Sequence, residues 1–255
     1  SVTAIKLSPA SVGSNGQILG VNGSGALQWV ADSSTPGAGT ITAAMIATGA
    51  DFTFNSIGIG KGANSVAGNT VLGELALDAS VTGGNNTAIG KSSSTALTSG
   101  LSNTSVGMQS LRDHTTGNSN TAIGKDSLLS NTTASFNTAV GKSAMNDNTT
   151  GANNTAVGLT SLADNTTASN NTGIGYRSLR ATTTGDQNTA LGADSMYTNT
   201  TGEYNVGLGF MSLYTNNASN NTAIGMQALL SNTTGGSNTA VGAYSLDANT
   251  TATQN

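Results

Sequence analysis

His114 is the only imidazole in this chain and there is no cysteine. The many Ser and Thr hydroxyls therefore have no base to activate them, and neither nucleophilic nor thiolate chemistry has a candidate. His114 stands 17 residues before Asn131, at the head of the series Asn131, Asn148, Asn165, and reads as a surface substitution in a turn. None of the 34 glycines opens a helix, so a phosphate loop is not credible. Asp147 and Asp164 are also 17 apart; in a regular stack they would lie about 4.8 Å from each other, where a cation could bridge them, although solvated surface is the plainer reading. No catalytic, cofactor-binding or metal-ligating residue is assigned, and the chain is not expected to be an enzyme. A net charge of −4 with 8 Lys and Arg leaves no basic stripe for phosphates, which argues against nucleic acid as a partner.

Contact chemistry is the remaining possibility. Lys61, Lys91, Lys125 and Lys142 each follow a recurring glycine directly, Arg177 comes one residue later, and Arg112 and Arg180 share a further position. Charge marks these positions as wet. Tyr176, Tyr197, Phe210, Tyr214 and Tyr244 fall in the same positions, joined by Met211 and Met226. An exposed aromatic band could stack on the sugars of a cell-surface glycan or grip a protein receptor; packing between chains, or the seat of a next domain, is the competing use.

These residues are positioned by a repeat. Asn-Thr-Ala-aliphatic-Gly recurs with its glycine at 73, 90, 107, 124, 141, 158, 175, 192, 209, 225 and 242, every interval being 17 residues except one of 16 between Gly209 and Gly225. A period this short predicts an all-β chain, a parallel β-solenoid or β-roll in which one repeat is one coil. The same regularity argues against disorder, which charged residues at 8% and aromatics at 4% would otherwise suggest. Four residues after the glycine stands Leu or Met, as in Leu111, Leu128 and Met145, usually preceded by Ser; the coil after Gly90 departs, with Ser94 there and Leu97 three residues later. Each coil is read as two short strands, Thr-Ala-Ile and x-Ser-Leu, bent at the glycine and closed by an Asn-Thr-Thr-Gly turn.

Alternation along Thr-Ala-Ile puts Thr and the aliphatic on one face and Ala on the other. The aliphatic is expected inside. Ala88, Ala122, Ala139, Ala156, Ala190, Ala223 and Ala240 then face outward, and their small size predicts close approach of a sister backbone. With so few aliphatics per coil set against the entropy of ordering it, the expectation is a homotrimer, intertwined or side by side, with those alanines at the seam.

The first residues read differently. Residues 1–35 hold two short strands, Gln17-Ile18-Leu19 and Ala26 to Val30, around the Gly-rich turn Asn22-Gly23-Ser24-Gly25. Residues 36–54 read as linker and transition, with a small apolar run at 41–49. Residues 55–255 form the solenoid, beginning with a degenerate anchor, Asn55 to Gly60, taken as a shorter first coil. Ser1 suggests a fragment or a processed chain, and no apolar run is long enough to span a membrane.

The anchors Asn85-Asn86-Thr87-Ala88-Ile89-Gly90 and Asn55-Ser56-Ile57-Gly58-Ile59-Gly60 resemble the head repeats of trimeric autotransporter adhesins of the YadA type, with Thr where that family has Val. The resemblance implies a trimeric, left-handed parallel β-roll. The longer unit, Asn-Thr-Ala-Ile-Gly-x-x-Ser-Leu-x-x-Asn-Thr-Thr-Gly, and the segment Asn15 to Trp29 look more like phage tail fibres, which often carry a self-cleaving endosialidase-type chaperone; an end at Asn255 would fit its removal. These resemblances imply a virion tail fibre, extracellular, whose partners are a host glycan or protein receptor and other tail proteins. A fragment of a bacterial surface adhesin is the alternative. An ice-binding solenoid, motivated by Thr87, Thr121, Thr138 and Thr155, is the outsider, because that ladder is expected to face inward.

Overall fold

The structure, a computed structural model, describes residues 17–21, 27–31 and 51–255 and divides into two units, Ser1–Ala47 and Thr48–Asn255. In the first, β1 (Gln17–Val21) pairs antiparallel with β2 (Leu27–Ala31), with Leu19 opposite Trp29. The apolar run at 41–49 and most of the linker lie outside the described residues.

The second unit opens with antiparallel pairing, which corrects the reading of a short first coil. Asn55 and Ser56 both have positive φ, 48° and 67°. A two-residue turn of that kind reverses the chain in a hairpin, so β3 (Phe52–Phe54) runs antiparallel to β4 (Ile57–Gly60). β4 in turn is antiparallel to β5 (Thr70–Gly73). Gly58 to Gly60 thus caps the sheet instead of starting a coil.

From β5 onward every strand is parallel and in register with the next. The strands are β6 (Thr87–Ile89), β7 (Thr104–Val106), β8 (Thr121–Ile123), β9 (Thr138–Val140), β10 (Thr155–Val157), β11 (Thr172–Ile174), β12 (Thr189–Leu191), β13 (Val206–Leu208), β14 (Thr222–Ile224) and β15 (Thr239–Val241). The chain is a parallel β-solenoid with a 17-residue coil. The 16-residue coil loses its residue in the Asn-rich turn, so Val206 still faces Thr222 and the sheet is undisturbed.

Only one strand per coil exists. The x-Ser-Leu segment alternates in backbone handedness: φ is 58° at Asp126 and 48° at Leu128. As a result Asp126 N–H donates back to Met108 O at 3.0 Å and Leu128 N–H donates forward to Ala144 O at 3.0 Å. Both neighbouring coils are bonded from one tight corner. An L-residue in the left-handed region costs on the order of 1–2 kcal/mol, and the buried Leu side chain helps to offset it.

Inside and outside are the reverse of the expectation. Ala88, Ala122, Ala139, Ala156, Ala190, Ala223 and Ala240 are at most 1% exposed within a single chain. They face the buried column Leu77, Leu111, Leu128, Met145, Leu162, Leu179, Met196, Leu213 and Leu229. Their size is limited by their own coil. A Cβ added at Gly173, which shares the column, would meet Ser161 Oγ at 2.8 Å and Leu162 Cδ1 at 3.4 Å. A coil this thin holds one large side chain opposite one small one. The alanines are therefore core, and they are not a seam for a sister chain. Thr and the aliphatic point outward: Ile123 is 40% and Leu191 44% exposed. The Thr ladder is likewise outward and half-buried.

Two files of buried asparagine complete the interior. In the anchor file each Asn accepts the next Asn's backbone N–H: Asn103 N–H donates to Asn86 Oδ1 at 2.8 Å, while Asn103 Nδ2 donates to Gly117 O at 2.9 Å. In the turn file the amides bond to each other, Asn148 Nδ2 to Asn131 Oδ1 at 2.9 Å and Asn165 Nδ2 to Asn148 Oδ1 at 2.7 Å. His114 belongs to this second file and is fully buried, correcting its reading as a surface residue. Its Nδ1 accepts from Asn131 Nδ2 at 3.0 Å and its Nε2–H donates to Gly117 O at 2.8 Å. The partners fix the tautomer, because an amide NH₂ only donates and a carbonyl only accepts.

The turn file has two defects. Thr182 replaces Asn and donates to Asn199 O. In the 16-residue coil Asn216 Nδ2 donates to Ala218 O within its own turn. Each defect removes a donor, and the two oxygens left without a partner are Asn165 Oδ1 and Asn199 Oδ1. Thr182→Asn restores a donor to Asn165 and is expected to raise stability by about 1–2 kcal/mol, read as a higher urea midpoint at unchanged m-value.

Candidate functional site

The columns outside the core on the x-x-Ser-Leu-x-x side carry the side chains with contact chemistry. In-register stacking places residues 17 apart on top of each other, so Arg180, Tyr197 and, one coil on, Tyr214 form one file, and Arg177 lies under Asp194. Tyr197 and Tyr214 stack with centroids 5.3 Å apart and planes 6° from parallel. Arg177 bonds Asp194 through two nitrogens, Nε to Oδ1 at 2.7 Å and Nη2 to Oδ2 at 3.0 Å. Its guanidinium also lies 4.5 Å from the Tyr176 ring centroid and 5.0 Å from that of Tyr197. Arg180 Nη1 donates to Tyr197 Oη at 3.1 Å, sits 5.8 Å from that ring and is 3.9 Å from Asp164.

Charge follows contact. The Asp194 hydrogen bond raises the pKa of Arg177, and the Tyr197 hydrogen bond followed by the field of Asp164 does the same for Arg180. Burial, then the neighbouring charge of Asp164, pushes the Asp147 carboxyl upward, with Arg180 opposing. Among the described residues no three His, Cys, Asp or Glu side chains group as a metal site.

Of the five aromatics expected as one band, the structure brings three together. Tyr176, Tyr197 and Tyr214 share the arginine cluster. Phe210 occupies the same column as Tyr176 two coils further on, 45% exposed, and Tyr244 lies in the last coil, 52% exposed. Stacking on a sugar needs an open ring face. Tyr197 and Tyr214 cover each other, and the arginines cover the other side of Tyr197. The cluster therefore presents ring edges, hydroxyls and guanidinium N–H groups, a surface for hydrogen-bonding acceptors; of the five, Phe210 and Tyr244 are the rings left for stacking, and Phe136 and Tyr204, which the sequence reading passed over, are 61% and 51% exposed. Arg177 and Arg180 belong to the site although the sequence marks them only as wet positions, and Asp194 joins them although the sequence reading does not single it out. Their spacing of 17 from Asp194, Tyr197 and the preceding coil was the available signal.

His114 adds a pH response away from this cluster, in the coil between Gly107 and Gly124. Burial, its largest cause, lowers the imidazole pKa below the usual 6.5, with the hydrogen bond donated to the Gly117 carbonyl opposing. The unfolded chain then binds the proton more readily than the folded one. Stability is complete above about pH 6.5 and falls as pH drops from there toward the lower folded value. Urea midpoints at pH 7.5 and 5 should differ, and His114→Asn, which installs the file's usual residue, should remove that difference.

No protein-family profile, curated protein or solved structure matches the chain.

Proposed function

We propose that this chain is the stiff shaft of a bacteriophage tail fibre, carried on the virion and serving host attachment. What supports the reading is the unbroken parallel ladder from β5 to β15, in which each strand pairs in the same register with the next. Such a stack extends in one direction only, by about 4.8 Å per coil, giving a rod of roughly 50 Å and a spacer more than a pocketed domain. Several copies lying side by side, as a homotrimer, would thicken it. The arginine and tyrosine cluster is its receptor-facing element, suited to the hydroxyls and carboxylates of a cell-surface glycan or to a protein.

Immunogold labelling of virions with an antibody to this chain tests the reading: gold along the tail fibres is expected, and its absence from every virion appendage sinks it. Host adsorption by virions carrying Arg180→Ala with Tyr214→Ala is expected to fall at least tenfold; unchanged adsorption removes the receptor role and leaves the shaft. The head of a bacterial surface adhesin would share the rod. One observation favours the ice-binding reading more than the sequence did, namely the outward Thr ladder, and a thermal-hysteresis assay decides it.

A further inference from the structure

One column of the solenoid carries two large rings for which the fold has no use. The residue before each anchor Asn stands on the corner between the Asn-rich turn and the strand, and it is exposed in every coil from Asn85 onward. Its backbone is left-handed: φ is 59° at Asn153, 62° at Asn170 and 59° at Gln187. Asn tolerates that conformation well and a bulky side chain poorly. Phe136 and Tyr204 nevertheless adopt it, with φ of 63° and 57°, and they are 61% and 51% exposed. Leu128 accepts the same strain at φ of 48° but buries its side chain completely. Phe136 and Tyr204 bury too little to do the same, so what offsets their strain lies outside the chain.

Phe136, Asn153, Asn170, Gln187 and Tyr204 follow at intervals of 17 and form a row along the stack, its two rings four coils or about 19 Å apart. Three uncharged amides stand between the rings, each offering donors and an acceptor to hydroxyl groups. Gln187 Nε2 donates to Tyr204 Oη at 3.3 Å, which ties that ring to the row. Tyr197 and Tyr214 cover each other, whereas neither Phe136 nor Tyr204 has an aromatic in the adjoining coils of its column.

We propose that this row binds an extended neutral polysaccharide laid along the rod, one hexose to a coil. Length is the first argument. A pyranose in an equatorially linked chain advances by nearly the rise of one coil, so successive sugars meet successive side chains without drifting. Chemistry is the second: the end rings stack on sugar faces, and the amides between them take the hydroxyls. Charge is the third. The row and the columns on either side of it carry no Lys or Arg between residues 135 and 206, while Asp186 and Glu203 flank the Tyr204 end. A chain of uronic acids or phosphates would be repelled there. The row thus differs from the arginine and tyrosine cluster in place and in the charge of its ligand, and it stands apart from the fibre reading.

Titration calorimetry of the full chain tests it, with mannohexaose, cellohexaose, mannotriose and hexagalacturonate as probes. Six sugars reach both rings and three do not, so mannohexaose or cellohexaose is expected to bind at least tenfold tighter than mannotriose; hexagalacturonate is expected to bind more weakly than either neutral hexamer. Phe136→Ser and Tyr204→Asn install residues that the column already uses at Ser119 and Asn220, so both variants keep the fold. Each is expected to bring the hexamer down to the affinity of the trimer, while Arg180→Ala changes nothing. Equal affinity for both lengths, no binding of either neutral hexamer, tighter binding of hexagalacturonate, or loss of binding in Arg180→Ala with none in Phe136→Ser would each overturn the site. Failed titration beside labelled virion fibres removes this site alone; unlabelled virions beside a length-dependent titration remove the fibre reading alone.

Discussion

Asn154→Leu is expected to lower stability by about 3–5 kcal/mol. Asn154 is fully buried. Its Oδ1 accepts Asn171 N–H at 2.9 Å and its Nδ2 donates to Ala168 O at 2.8 Å. Leucine is close in volume but leaves a backbone N–H and a backbone carbonyl unpaired in a space closed to water, and each such loss costs on the order of 1–3 kcal/mol. Because a coil contacts only its neighbours, the damage should be local. Hydrogen exchange is expected to accelerate in the coils around 137–188 and to stay slow near Asn103 and Asn238. Uniform loss of protection, or a shift below 1 kcal/mol, would show that the file is not what holds the turns.

Gly124→Ala is expected to be nearly as severe, at about 3–5 kcal/mol. Two causes combine. Gly124 has φ of 131°, a region in which an L side chain is strained by about 1–3 kcal/mol. A Cβ there would also lie 2.6 Å from Gly141 O and 2.7 Å from Gly141 C, backbone atoms pinned by the next coil's own bonds. Gly242 separates the two causes. Its φ is 121°, yet a Cβ would meet nothing within 4 Å, so Gly242→Ala carries the strain without the clash and should cost about 1–3 kcal/mol. Guanidinium unfolding of both variants measures the difference; equal effects would mean that coil-to-coil contact plays no part.

Much of the fold is legible in the chain because the repeat multiplies each signal. The glycine period, the parallel stacking and the buried Leu/Met column all follow from spacing. The direction of Thr-Ala-Ile does not follow from putting the aliphatic inside, since that rule neglects thickness. With Leu128 already filling the interior there is room opposite it only for Ala122 or Ala139, and the smallness of that column is the mark of a crowded core. Asn131 and His114 fail for a related reason. Asn is a common turn residue, so the file looks exposed; yet Leu129, Asn146 and Ala163, two places earlier in successive coils, vary freely, while Asn131, Asn148 and Asn165 do not. Constancy along the rod marks burial. Of the candidate site, the tyrosines were visible as types, but that Tyr197 and Tyr214 shield each other, and that Arg177 is held by Asp194, depends on which columns share a corner. The left-handed Leu corner carries no residue signal at all.

The two unpartnered oxygens beside Thr182 also have a mechanical meaning. Coils are held against each other by rungs of hydrogen bonds and by the packed Leu/Met column, so a load along the axis is borne by each junction in series and the assembly is as strong as its poorest junction. Around Thr182 and the 16-residue coil, the amide chain that ties turn to turn is cut twice. Stretched, the rod would tear there first, leaving the segment before Asn165 and the segment after Asn216 each with its own intact stitching.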